Sequence, residues 1–384
     1  MADPFFALSA FSIETAASLS KALKFAKQAL GNDRNNLLLW DAYARMERSR
    51  GKVTEARKVY VSALSLYRSF APRDKVDGPL LWRAWAELEW AQGSNELALG
   101  VLIGASGALG DGGEPAAIAK GGVALSAAML LRARAGFNAQ LEAAYGPEAD
   151  QGMLRNRNNV AFCAALLEYL TNGMDAATAF LDGHLFRLEF CGASGSAEHE
   201  EAFIMCAKLL HRHMSSPQAK VYQPPKVREF LQRALALFPN DSLLLAMLLD
   251  NESRMKIQGH MRSTLDKYTL DSKTVTSEGW LFAIWSELSL DTYGTNPWPA
   301  RNMFERAVEN PRYGLPPLAV SRLDADILTC RTRASVSLWS LYVEFETRNG
   351  EFERAKRLVS RAVREAPWCK GAPQRDLAVG CSHC

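Results

Sequence analysis

Large apolar and small residues recur along this chain at steps of three and four, the spacing that gathers side chains on one face of an α-helix. The steps belong to a longer register. From Trp40 it runs through Tyr43, Glu47, Gly51, Ala56, Tyr60 and Ala63, and from Trp82 through Trp85, Glu89, Gly93, Ala98, Leu102 and Ala105. From Trp339 it runs through Tyr342, Glu346, Gly350, Ala355, Val359 and Ala362. In each copy an aromatic, Glu, Gly, a small residue, a bulky residue and Ala follow the Trp at +3, +7, +11, +16, +20 and +23. Self-similarity at a fixed spacing marks a repeat architecture.

Each copy reads as a helical hairpin. Trp, the aromatic and Glu share one face of a first helix, and Gly at +11 ends it where a left-handed backbone is needed. The second helix carries small and bulky residues on one face, so it can approach the first closely. A hairpin of this kind keeps an apolar side that only a neighbouring hairpin covers, so the units must stack. The pattern predicts an all-α fold, an α-α superhelix: a TPR-like solenoid of antiparallel helix pairs. Trp40, Trp82 and Trp339 are expected to be buried between helices.

Fainter copies fill the chain. Trp280 and Glu287 keep the +7 step and lead, after Asn296-Pro297-Trp298-Pro299, to Ala300, Phe304 and Ala307. Leu245, Leu248, Glu252, Met261 and Leu265 fit the offsets without the Trp or the Gly. Ala22, Ala26 and Ala29 read as a second helix without its first, 160–170 and 175–188 as a pair around Gly173, and 224–238 as a further second helix. Residues 1–370 are therefore expected to form a single array, with small, polar loop insertions near 104–122 and 191–197 and an irregular tail at 371–384.

Composition narrows the function classes. The chain has 384 residues, 48% of them hydrophobic and 23% charged, typical of a globular protein. Its formal charge of +3 gives no global field for nucleic acid, so any such contact would be local. Seven Cys, with Cys163, Cys206 and Cys330 in apolar helical patterns, suit a reducing compartment better than a disulfide framework. The first residues lack a basic signal region, and the longest apolar run, Val123 to Leu131, is too short to span a bilayer. A soluble intracellular protein without membrane association is expected.

Catalytic chemistry finds no purchase. The Gly-rich stretch at 104–122 lacks a Gly-Lys-Ser/Thr ending and a preceding strand, so it reads as an insertion rather than a phosphate loop. Neither a Gly-x-Ser-x-Gly elbow nor a His-Glu-x-x-His helix is present. His211 and His213 stand two apart and point to different helix faces; with His199 they read as surface residues. Cys381-Ser-His383-Cys384 has a Cys-x-x-Cys spacing, with Cys369 earlier, but such spacing alone is weak and no fold around it is apparent in the sequence. No catalytic, cofactor-binding or metal-binding residue, cofactor or small-molecule substrate is assigned, and the chain reads as a non-enzyme. Glu47, Glu89, Glu287 and Glu346 occur once per repeat, and pairing between adjacent helices is their expected role. Arg354, Arg357, Arg361 and Arg364 step along the last helix as a basic stripe that could meet RNA phosphate or an acidic partner, and Arg45, Arg48, Lys52, Arg57 and Lys58 form a less regular basic cluster.

The Trp-x-x-aromatic-x-x-x-Glu first helix and the Ala-x-x-x-aromatic-x-x-Ala second helix resemble HAT (half-a-TPR) repeats. More narrowly, Leu38-Leu39-Trp40 to Ala63, Leu81-Trp82 to Gly104, and Leu338-Trp339 through Arg361-Ala362-Val363-Arg364-Glu365-Ala366-Pro367-Trp368-Cys369-Lys370 resemble the nuclear-RNAi-defective-two family. Against that family the chain reads as a fragment or truncated member. The family's polar N-terminal region is absent, and the sequence past Lys370 no longer reads as helical. The resemblance implies a nuclear protein of RNA silencing, surveillance and processing, whose protein partners include an exosome-associated RNA helicase and splicing factors. On that basis the chain is expected to be a protein-interaction scaffold that meets RNA only indirectly. A spliceosomal HAT-repeat scaffold and a direct RNA-binding helical-repeat protein are the alternatives.

Overall fold

The computed structural model describes residues 4–110, 113–123, 125–215, 223–255, 258–270, 276–290, 296–309 and 335–365. The tail expected at 371–384, Cys330 and the Cys369–Cys384 group lie outside these residues. Among the described residues the regular structure is helical, with no strand. The chain expected as one array divides into two compact units, Met1–Cys206 and Ala207–Cys384.

The first unit contains α1 (Pro4–Ala17), α2 (Leu19–Asn32), α3 (Leu37–Ser49), α4 (Val53–Tyr67), α5 (Gly78–Ala91), α6 (Asn95–Ala105), α7 (Pro115–Ala119), α8 (Ala127–Tyr145), α9 (Gln151–Asn172) and α10 (Met174–Phe190). The boundary falls within α11 (Ala197–Ser215). The second unit continues with α12 (Pro224–Leu237), α13 (Ser242–Met255), α14 (Gln258–Leu265), α15 (Ser277–Leu290), α16 (Trp298–Glu309), α17 (Val336–Arg348) and α18 (Phe352–Glu365). Consecutive helices pack as pairs, including α3 with α4, α5 with α6, α9 with α10, α15 with α16 and α17 with α18.

The turn inside the hairpins has a specific cause. Gly51, Gly93 and Gly350 adopt φ of 74°, 76° and 78°, the left-handed region that an L side chain resists. That geometry lets the amide after the Gly reach back to the carbonyl of the repeat Glu: Lys52 N donates to Glu47 O at 3.1 Å, Ser94 N to Glu89 O at 3.0 Å and Glu351 N to Glu346 O at 2.9 Å. These bonds satisfy carbonyls that a helix end otherwise leaves unpaired.

Small residues set the closeness of the pairs. Ala56, Ala63, Ala98 and Ala355 are completely buried, and Trp85, Trp339 and Tyr342 fill the space beside them. Phe304 on α16 stacks on Tyr342 of α17 with ring centroids 4.6 Å apart. In the last copy Leu358 is buried while Val359 is only half-buried, so the apolar contact sits one residue before the expected position.

Several expectations change. Ala22, Ala26 and their neighbours do have a first helix: α1 packs on α2 through Phe11 and leaves Phe6 and Ile13 exposed. Its sequence carries neither Trp nor a repeat Glu, which hides it from the register. The stretch 104–122 contains α7, packed on α4 and α6, and Gly104 belongs to α6. The stretch 191–197 is a turn leading into α11. Trp40 and Trp82 are half-buried rather than buried. Trp40 Nε1 donates to the Arg34 carbonyl at 2.8 Å, a polar outlet found at the edge of the hairpin. Trp82 stacks on Trp85 at 5.9 Å, and Trp85 takes the deep position.

Candidate functional site

The repeat Glu residues are acceptors for an Arg of the preceding helical element. Arg57 on α4 grips Glu89 on α5 with two bonds of 2.6 and 2.7 Å. Arg134 on α8 holds Glu168 on α9 at 2.6 and 3.4 Å, and Arg228 on α12 holds Glu252 on α13 at 2.7 and 2.8 Å. Arg262 on α14 holds Glu287 on α15 at 2.6 Å twice, and Arg301 on α16 holds Glu346 on α17 at 2.7 and 2.6 Å. Each Arg directly follows a small or apolar residue; Arg57 and Arg262 occupy +17 of the copies that start at Trp40 and Leu245, and Arg301 falls at +21 of the Trp280 copy because of its longer turn. The planar guanidinium matches a carboxylate edge to edge, which fixes orientation as well as distance.

The sequence offsets pick out Glu89, Glu252, Glu287 and Glu346 but not Glu168, and of the Arg partners they place only Arg57, in a basic cluster. Their recurrence immediately after Ala56, Ala133, Val227, Met261 and Ala300 is the signal that would have found them. Glu47 differs for a visible reason. Leu23 stands at the corresponding place in α2, and Glu47 instead takes Arg50 from its own helix end at 3.1 Å.

The basic stripe on α18 splits in two. Arg354 and Arg361 turn back toward α16 and α17: Arg361 reaches Glu305 at 2.9 Å, and Arg354 lies 3.2 Å from Glu346 and 3.6 Å from Glu305. Tyr342 also donates to Glu305 at 2.6 Å. Burial alone would raise the Glu305 carboxyl, but the bonds from Tyr342 and Arg361 outweigh it and hold the group below the usual carboxylate range. Arg357 and Arg364 remain exposed, each donating to a carbonyl of its own helix. Of the second basic cluster, Arg57 is drawn onto Glu89, while Arg45, paired with Asp41 at 2.7 Å, Lys58, paired with Glu55 at 2.8 Å, Arg48 and Lys52 are exposed.

A buried polar network links α8, α9, α10 and α11. Tyr145 Oη lies 2.9 Å from His184 Nδ1, and His184 Nε2 lies 2.9 Å from Asn158 Oδ1. Asn158 Nδ2 donates to the Glu198 carbonyl at 2.8 Å and to Glu201 at 3.1 Å, which orients its amide and makes His184 Nε2 the donor. Burial, assisted by Arg157, lowers the His184 pKa to about 4, so the ring is neutral. His199, expected at the surface, is completely buried against Phe203, with ring centroids 4.9 Å apart. His211 is partly exposed and pairs with Asp250 at 2.7 Å. Cys163 and Cys206 are buried, and burial pushes the Cys163 thiol up to about 12.

In the first unit a cavity of 300 Å³ lies between Tyr67, Trp82, Phe137, Cys163 and the Gly-rich stretch. Arg68 and Gln140 tie that stretch down by donating to the carbonyls of Gly113 and Ala105 at 2.8 and 3.2 Å. In the second unit an open apolar depression of 430 Å³ lies between α13 and α15, floored by Leu281, Phe282 and Trp285, with Trp285 54% exposed. Among the described residues no group of three or more His, Cys, Asp or Glu is placed to hold a metal ion, and no helix is long and apolar enough to cross a membrane.

Against known proteins, no family model matches the chain. The curated protein named nuclear exosome regulator NRDE2 from Mus musculus is 27% identical over 387 aligned residues, covering 90% of this chain and 31% of that protein. Its Homo sapiens counterpart of the same name is 27% identical over 373 residues, with the same coverage of both chains. The chain thus spans about a third of the length of the curated relatives it matches. Among solved structures, a chain of the complex described as Naa15/Naa10 bound to HypK-THB matches 98% of this chain and 51% of its own, at 13% identity and a TM-score of 0.29.

Proposed function

We propose that this chain is a non-catalytic protein-interaction scaffold in nuclear RNA surveillance and processing, with a role in RNA silencing. The observation that carries the reading is the extent of its similarity to two proteins named nuclear exosome regulators, over 90% of its own length. The physical organisation agrees with it. Hairpins joined by two-point Arg–Glu pairs hold their helices in fixed relative orientation, as a surface presenting partners must. The Trp285 depression supplies the large, partly exposed apolar side chain that a protein anchor needs. In this reading the partners are proteins, including an exosome-associated RNA helicase or splicing factors.

Affinity purification of the tagged chain from nuclear extract, with and without RNase, tests the reading when analysed by mass spectrometry. Exosome-associated proteins retained after RNase are expected. Recovery of splicing proteins without them would move the chain to a spliceosomal scaffold, and recovery of neither would remove the proposal.

A further inference from the structure

The charge of this chain is unevenly distributed. Residues 19–68, which hold α2, α3 and α4, carry eleven Lys and Arg against four Asp and Glu, a formal +7, whereas the whole chain carries +3. The remainder is therefore net acidic. Of the four carboxylates in that stretch, Asp41 and Glu47 are buried against Arg45 and Arg50, and Asp33 is half-buried. Glu55 is the exposed one.

The cations converge on one edge. Lys21, Lys24 and Lys27 are exposed on α2 at steps of three, roughly 4.5 Å apart along the axis and within about 120° around it. They flank the side opposite the buried Ala22, Leu23, Ala26 and Leu30. Lys27 Nζ stands 6.0 Å from the centre of the Tyr43 ring on α3. Lys58 of α4 bonds Glu55 at 2.8 Å, and that bond, with the charges of Lys58, Lys52 and Lys27, holds the Glu55 carboxyl below its ordinary range. Lys27, Lys52 and Lys58, from three different segments, thus all act on one carboxylate, which cannot neutralise them all. Tyr43, half-buried and packed against the apolar core of α1–α3, stands beside Lys27.

We propose that the α2–α4 edge, through Lys21, Lys24, Lys27, Lys52 and Lys58 with Tyr43, is a binding surface for the phosphate backbone of single-stranded RNA. Lysines on flexible stems accept a row of phosphates without demanding one geometry. The ring beside Lys27 is what favours a nucleic acid over an acidic peptide, because a cationic track with an aromatic platform is the combination that holds unpaired strands. This surface is separate from the Arg stripe on α18, where Arg354 and Arg361 already serve Glu305 and Glu346. It does not depend on the scaffold reading, since protein partners retained after RNase are unaffected by whether this edge holds RNA.

The test is fluorescence anisotropy of labelled oligouridine with the full chain across a salt series. Binding at low ionic strength is expected. The variant Lys24→Glu/Lys27→Glu/Lys58→Glu, whose side chains are all exposed, should melt like the unsubstituted chain by circular dichroism. It should bind at least about tenfold more weakly, with a log–log salt slope shallower by about 2, since each single-strand phosphate contact contributes about 0.7. Tyr43→Ala should weaken binding while leaving the slope in place. Absence of binding at low salt overturns the proposal, as does a triple variant that binds normally or an equal loss from Arg357→Glu/Arg364→Glu. Polyglutamate of matched length binding the same lysines as tightly as RNA would instead identify a surface for acidic protein segments.

Discussion

Arg301 and Glu346 face each other with two bonds of 2.7 and 2.6 Å, their side chains only 7% and 0% exposed. Arg262 and Glu287 make the same pair one interface earlier, but with the Arg 43% exposed. The motif is therefore constant while its solvation is not, and solvation decides what each pair contributes.

Removing Glu346 leaves the Arg301 guanidinium out of water without its carboxylate, whereas removing Arg301 leaves Glu346 still facing Arg354 at 3.2 Å. Glu346→Ala is expected to cost about 3–5 kcal/mol and Arg301→Ala less, whereas Arg301→Met/Glu346→Leu should recover most of the Glu346→Ala loss. At the more exposed interface Glu287→Ala should cost clearly less than Glu346→Ala, because the Arg262 left behind is 43% exposed and stays solvated. Chemical denaturation of the four variants checks the order. Equal losses at both interfaces would refute it.

The tryptophans should separate by depth. Trp339→Ala and Trp85→Ala remove fully buried indoles and are each expected to cost about 3–5 kcal/mol. Trp40→Ala, at a half-buried edge position, should cost less than half as much. Thermal melts of the three variants measure this directly.

His184 makes stability depend on pH. Its folded pKa of about 4 lies below the ordinary value of 6.5, so between those values the unfolded chain binds the extra proton. The contribution is complete above about pH 6.5 and is lost as pH falls toward 4, amounting to about 3 kcal/mol at most. His184→Gln should flatten this part of the stability–pH curve, and an unchanged curve would mean that His184 titrates normally.

The α18 stripe should divide in function as it does in contact. Arg354→Glu sets a third carboxylate against Glu305 and Glu346 and should lower the melting temperature. Arg357→Glu/Arg364→Glu alters only exposed charge and should leave the stability within about 0.5 kcal/mol of the unsubstituted chain.

Periodicity carries local information well. Trp85, Glu89, Gly93 and Ala98 lie close in sequence, and each role follows from its offset: deep aromatic, carboxylate, left-handed turn, close crossing. What lies between hairpins is harder to read. Arg57 and Glu89 are 32 residues apart and Arg301 and Glu346 are 45, and nothing in either helix alone says which surface its neighbour will cover. The same holds for His184, which joins Tyr145, Asn158 and Glu198 from three other helices through the relay on Asn158.

The sequence by itself determined the helical repeat, its hairpin unit and the recurrence of one Glu per copy, because steps of three and four and a left-handed Gly act within a single hairpin. Only the tertiary structure decided which charges are spent inside the fold and which remain outside. Arg354 and Arg357 look alike in a helical stripe, and Arg57 and Lys58 are neighbours in the chain. The fold turns Arg354 and Arg57 onto carboxylates and leaves Arg357 and Lys58 facing solvent. The cause is the packing of the adjacent helix: it removes one flank from water and makes an ion pair there necessary, while the other flank stays hydrated.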